Sequence, residues 1–170
     1  MNKAAPDFCY PPAEKLQNFF GVFLQFHIGV DSHITEYGVT DFVVGRYGRF
    51  DGMAAKCVKA AKKRHPEVTL TLLLPYHPYD RPTPTPPGFD GTFYPPGMET
   101  VPKRVAIVRA NRYMVENSDY LIAYVWHSVS NARDLVEYAQ KREKQGKISI
   151  TILPRQQSMS FRQNNSRPAQ

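Results

Sequence analysis

The feature that most constrains the fold is the stretch 40–61, where two hydrophobic periodicities meet across a turn. Thr40-Asp41-Phe42-Val43-Val44 is a short apolar, β-branched run of the buried-strand kind. Ala54, Cys57, Val58 and Ala61 follow at i, i+3, i+4 and i+7, one face of a helix. Gly45 and Gly48 lie between them, and glycine lets the backbone approach a ligand closely or take φ > 0. A strand, a glycine-containing turn and a helix start aim backbone N–H groups and the positive helix end at one point, which suits an anion such as phosphate. The plainer alternative is an ordinary βα turn, with Asp51 as a helix N-cap.

The same alternation continues down the chain. Val39 to Val44 reads as a strand, Asp51 to Arg64 as a helix stopped by His65-Pro66, and Val68 to Leu74 as a second buried strand. Val101 to Asn117 reads as a helix with Pro102 in its first turn, and Asp119 to Val125 as a strand. Ser130 or Asn131 caps a last helix ending near Gly146, and Ile148 to Leu153 is the final strand. Strands alternating with helices argue for a Rossmann-like α/β fold, a parallel sheet with helices on both faces. The domain spans 37–153. Residues 1–36 form an atypical N-terminal segment, and the polar stretch 154–170 is expected to be a disordered tail.

Two segments resist this reading. Leu24, Phe26, Ile28 and Val30 alternate with polar residues and glycine as a strand does, yet Ala13 to Phe26 also fits an apolar helix opened by Pro11-Pro12. If Val22 to Val30 is a strand, the link to the next one is too short for a parallel crossover, which needs about 10–12 residues. Both options stay open. The other segment, Pro75 to Pro102, is a long Pro-rich passage carrying Tyr76, His77, Tyr79, Phe89, Phe93 and Tyr94. Loops of that length inside a domain are often lids or binding loops, and the ring content points to a packed one.

Composition narrows the class. A formal charge of +7 favours anionic partners, although Lys56, Lys59, Lys62, Lys63, Arg64, Lys141, Arg142 and Lys144 also fit solvated helix faces. Nucleic-acid binding is therefore expected to be weak. Cys9 and Cys57 match neither a disulfide framework nor a metal-ligand spacing, and Cys57 reads as a small core residue. The segment Met1 to Pro12 is polar and unlike a signal peptide, and Phe19 to Val30 is too short to span a bilayer. A cytoplasmic protein without membrane partner, metal or cofactor is expected, with a homodimer as one option.

In a parallel sheet, ligands bind beyond the carboxyl ends of strands, beside helix starts. Two junctions qualify, Gly45 to Asp51 and Trp126 to Asn131, and they are expected to face one another with Arg109 or Arg112 nearby. Glu137 lies two turns into the last helix, as either a site carboxylate or a surface partner of Arg133 and Lys141. Arg109, Arg112 and Glu116 share one face of the preceding helix, where the arginines either clamp phosphate or lie solvated. His77 and His127 flank pocket mouths. Nothing matches a zinc cluster, a Walker loop or a Ser-His-Asp triad.

The blocks Gly38 to Ala54, Val101 to Glu116 and Ser118 to Val125, taken in order, resemble the YpsA-like branch of the SLOG superfamily. That superfamily also holds the DNA-processing DprA proteins and the LOG phosphoribohydrolases. The resemblance covers Glu36 to Leu153 and implies a domain that binds a nucleotide or nucleotide-derived ligand as a sensing or binding module. It implies ligand contacts at Gly45, Arg46, Gly48, Phe50, Asp51 and Met53, and at Ser130 and Asn131, which stand where the branch has two glycines. Glu137 matches the glutamate that LOG enzymes pair with an arginine, so Glu137, Arg109 and Arg112 are the implied catalytic set. The alternatives are a phosphoribohydrolase-like enzyme that cleaves an N-glycosidic bond and a DprA-like nucleic-acid binder. The family opens with a strand ending in Gly-His-Arg and a full helix. Here Val22-Phe23 or Val30-Asp31 replaces His-Arg, so the first βα unit is expected to be altered or incomplete.

Overall fold

The structure, a computed structural model, describes residues 13–125 and 131–154. The ambiguous beginning is a helix, α1 (Ala13–Thr35). Val22, Phe26, Val30 and Ile34, spaced four apart, are all buried, whereas Leu24 and Ile28 are half exposed. The apparent alternation therefore came from two apolar rows on different faces of one helix. Each buried member contributes roughly 1.5–3 kcal/mol by leaving water, which a solvated strand at this position would forgo.

The chain continues through β1 (Asp41–Val44), α2 (Arg49–Lys62), β2 (Thr69–Leu73) and β3 (Gly91–Phe93). A 3-10 turn, Lys103–Val105, leads into α3 (Ala106–Glu116), followed by β4 (Tyr120–Ala123), α4 (Asn131–Glu143) and β5 (Ser149–Ile152). The α/β architecture is Rossmann-like, with parallel strand pairing throughout the described residues. Its strands form two sheets, however, where one was expected. β1-β2-β3 make the first, with Asp41 opposite Thr69 and Thr71 opposite Gly91. β4-β5 make the second, with Tyr120 opposite Ser149.

The reason lies in α1. A helix satisfies its own backbone and has no free ladder to offer, so it cannot bridge β1 and β4 as a strand would. It bridges them with side chains instead. Its buried row joins one core cluster with Met53, Cys57, Val58 and Ala61 of α2, and with Leu70, Tyr124 and Leu153. His33, buried near the helix end, donates from Nδ1 to the Gly29 carbonyl at 2.6 Å and meets the Tyr120 ring edge-on. Among the described residues the first βα unit is thus a lone helix.

Helices cover both sheet faces. Leu70 points into the α1–α2 cluster, while Leu73 packs with Ala106 and Ala110 of α3. Ile122 packs against the α1–α2 cluster, and Leu121 lies with Val115, Ala139 and Ile148. The short strand β3 lies inside the Pro-rich passage read above as loop. Asp90 fixes its start: Oδ2 accepts the Leu70 N–H at 2.6 Å and pairs with Lys62 of α2, and both hydrogen bonds hold the Asp90 carboxyl below its ordinary pKa.

Candidate functional site

Because the strands are parallel, β1, β2 and β3 end on one side, and the loops that follow them meet there. Residues after β2 (Pro75 to Asp80), after β3 (Tyr94 to Val101) and at the start of α3 enclose a crevice of about 210 Å³. Its polar and aromatic lining is Tyr76, His77, Asp80, Tyr94, Glu99 and Lys103, floored by Met98 and Ala106. Met98 and Ala106 are buried and packed with Leu73, so the floor is continuous with the core. The Tyr76 ring meets that of Tyr47, from the loop after β1, with centroids 5.8 Å apart at 85°. The glycine loop and the crevice are therefore neighbours.

The electrostatics of the crevice follow from its pairs. Lys103 Nζ stands 3.2 Å from Asp80 Oδ2. Partial burial, then the charges of Glu99 and Asp80, raise the pKa of the Tyr94 hydroxyl, so it keeps its proton. His77 Nδ1 accepts the Tyr79 N–H at 3.2 Å, which leaves the proton of a neutral ring on Nε2. Its ring stands edge-on to Tyr94, centroids 5.2 Å apart. Arg81 lies over the Tyr76 ring, 4.1 Å from its centroid, a cation–π contact at the rim.

The glycine loop is filled from within. Asp51, at the third position of α2, accepts the Gly48 N–H at 2.8 Å through Oδ2, the reciprocal half of a capping box. Gly48 is the N-cap, so Asp51 does not take the N-cap role that the sequence offered it beside a ligand contact. Neither Gly45 nor Gly48 takes a positive φ. Gly45 allows a close approach instead: a Cβ there would lie 2.8 Å from Asp51 Oδ2, and the carboxylate would have to shift. The carboxylate brings a negative charge to the positive helix end, where an external anion would otherwise bind.

The other sequence-derived positions divide between this end and elsewhere. Arg46 is exposed in the loop, and Phe50 meets the Tyr124 ring at 4.7 Å, which puts the α2 start beside the end of β4. Met53, expected at the ligand, is buried in the α1–α2 core because its position on α2 faces inward. Asn131 opens α4 and is exposed. Ser130 and His127 lie outside the described residues, as do Cys9, the segment Met1 to Pro12 and the tail beyond Pro154.

Glu137 is exposed, and its carboxylate accepts from Arg133 Nε at 2.7 Å, one turn back on α4. Arg109 lies 3.8 Å from Glu116, and Arg112 sits over the Tyr138 ring at 5.3 Å. Tyr138 donates to Glu116 at 2.7 Å, and Arg142 donates to the Glu116 carbonyl at 3.0 Å. These contacts tie α3 to α4 and give both arginines partners on these two helices, Arg109 at Glu116 and Arg112 at Tyr138. Sequence reasoning missed Asp80 and Glu99, whose only signal was membership of the Pro-rich passage, and Lys103, which it read as part of the helix that follows. No protein-family model matches the chain, and no curated protein matches it.

Proposed function

We propose that this protein is a cytoplasmic binding or sensing module for a nucleotide or nucleotide-derived ligand, held at the carboxyl ends of β1, β2 and β3. The observation that carries the reading is the crevice itself, with tyrosine walls joined through Tyr47 to the glycine loop. Aromatic rings give a nucleobase a surface to stack on, and each such stack contributes about 1–3 kcal/mol. The position beyond parallel strand ends is where α/β sheets gather ligands. Among the described residues no helix is long and apolar enough to cross a membrane, which agrees with a ligand taken from solution.

Binding is favoured over cleavage of an N-glycosidic bond, because Glu137 is exposed and held by Arg133 while Arg109 is held by Glu116. A general acid or base must reach its substrate within hydrogen-bond distance. The test is calorimetric titration with a panel of nucleoside monophosphates. At least one member should bind, and Tyr76→Ala should weaken it by tenfold or more without lowering the melting temperature substantially. A panel without any binder refutes the reading.

A further inference from the structure

The crevice carries a charge pattern that says which part of a ligand it can take. Its charged groups are Asp80, Glu99 and Lys103. Lys103 is already partnered by Asp80 at 3.2 Å, so among the charged lining residues Glu99 is the one without an ion pair. A phosphate placed there would meet Glu99 at like sign and would have to break the Asp80–Lys103 pair. The volume, about 210 Å³, also falls below the roughly 300–1,000 Å³ that encloses a whole drug-sized ligand. A flat ring fits both limits. Tyr76, His77 and Tyr94 line it with rings, Tyr76 lying under Arg81 at the rim, and the Tyr94 hydroxyl stays protonated and able to donate to a ring nitrogen.

We propose that the crevice is a base pocket and that Glu99 makes it select nucleobases bearing an exocyclic amino group. The proposal rests on the nucleotide-binding reading above. An ionised carboxylate can only accept hydrogen bonds, and an amino group on the base is the donor it lacks. The sugar then lies at the mouth, and any phosphate stays outside, on the rim where Arg81 and Tyr47 both meet Tyr76. Here the glycine loop borders the site without holding its anion, consistent with Asp51 occupying the Gly48 N–H.

The experiment is calorimetry on the full chain with adenosine, AMP and purine riboside, the last differing from adenosine only by loss of the amino group. Adenosine should bind about tenfold or more tighter than purine riboside, the range expected for one hydrogen bond to a charged group. Glu99→Gln should bring the two within about threefold while leaving the melting curve unchanged, since Glu99 is exposed. Inorganic phosphate should not displace adenosine. Equal binding of adenosine and purine riboside by the wild type overturns the proposal, whatever the variant does, and so does displacement by phosphate. Binding of AMP without adenosine overturns it too and leaves the nucleotide reading standing. If none of the three binds, the proposal falls, and the monophosphate panel decides the broader reading.

Discussion

Tyr47 and Tyr76 stand edge to face with ring centroids 5.8 Å apart, and this contact joins the loop after β1 to the loop after β2. Tyr76 carries Arg81 as well, so the one ring is shared by two loops. Edge-to-face pairs are worth roughly 0.5–1.5 kcal/mol beyond their area. Tyr47→Ala should therefore weaken nucleotide binding by about two- to tenfold, less than Tyr76→Ala does. Titration of both variants with the same ligand checks the order.

Gly45 and Asp51 form a second testable pair. Asp51→Ala removes the acceptor for the Gly48 N–H and should cost on the order of 1 kcal/mol, as loss of a helix cap does. Gly45→Ala should destabilise as well, because the new Cβ would meet the Asp51 carboxylate at 2.8 Å. In the Asp51→Ala background that clash is gone, and Gly45→Ala should then cost little. Urea denaturation of the four proteins gives the coupling directly. Additive effects would mean that Gly45 serves something other than the approach of Asp51.

Cys57 is fully buried, and burial, helped by the charge of Asp31, raises its thiol to a pKa of about 11 from an ordinary value near 9. In the folded protein the thiol stays protonated where an unfolded chain would already ionise. Its contribution to stability is therefore complete below pH 9 and is lost as the pH rises towards 11. Stability should fall across that window more steeply in the wild type than in Cys57→Ala. In a Cys9→Ser background, a thiol reagent at pH 8 should label Cys57 only after denaturant is added.

Glu137 separates binding from catalysis. The exposed Arg133–Glu137 pair should contribute no more than about 0.5 kcal/mol, so Glu137→Gln should melt like the wild type. Nucleotide affinity should be unchanged, and neither protein should release free base from nucleoside monophosphates. Release by the wild type and its loss in the variant would restore the glycosidase reading.

The sequence revealed the βα alternation from Asp41 onward because each segment carries one clean period. It left α1 open because Leu24 and Ile28 are as apolar as Phe26 and Val30, and only tertiary packing decides which row is buried. The three-residue β3 has no period to read; its pairing with β2 and the grip of Asp90 create it. The glycine loop was legible as a junction, but its internal occupant was not, since a helix-start aspartate fits a cap and a ligand contact equally. The crevice was legible only as a ring-rich passage. Asp80 and Glu99 converge from distant points of that passage with Lys103 just beyond its end, and residues brought together only by folding leave no spacing to detect.

The most direct test of nucleotide binding at the strand ends is a 15N-edited NMR titration of the full chain with the tightest binder from the monophosphate panel. Saturable shift changes are expected at Tyr76, His77, Asp80, Tyr94, Glu99 and Lys103, continuing into Gly45 to Gly48 through Tyr47. Changes centred on Glu137 and Arg133, with the crevice signals unmoved, would contradict binding at the strand ends.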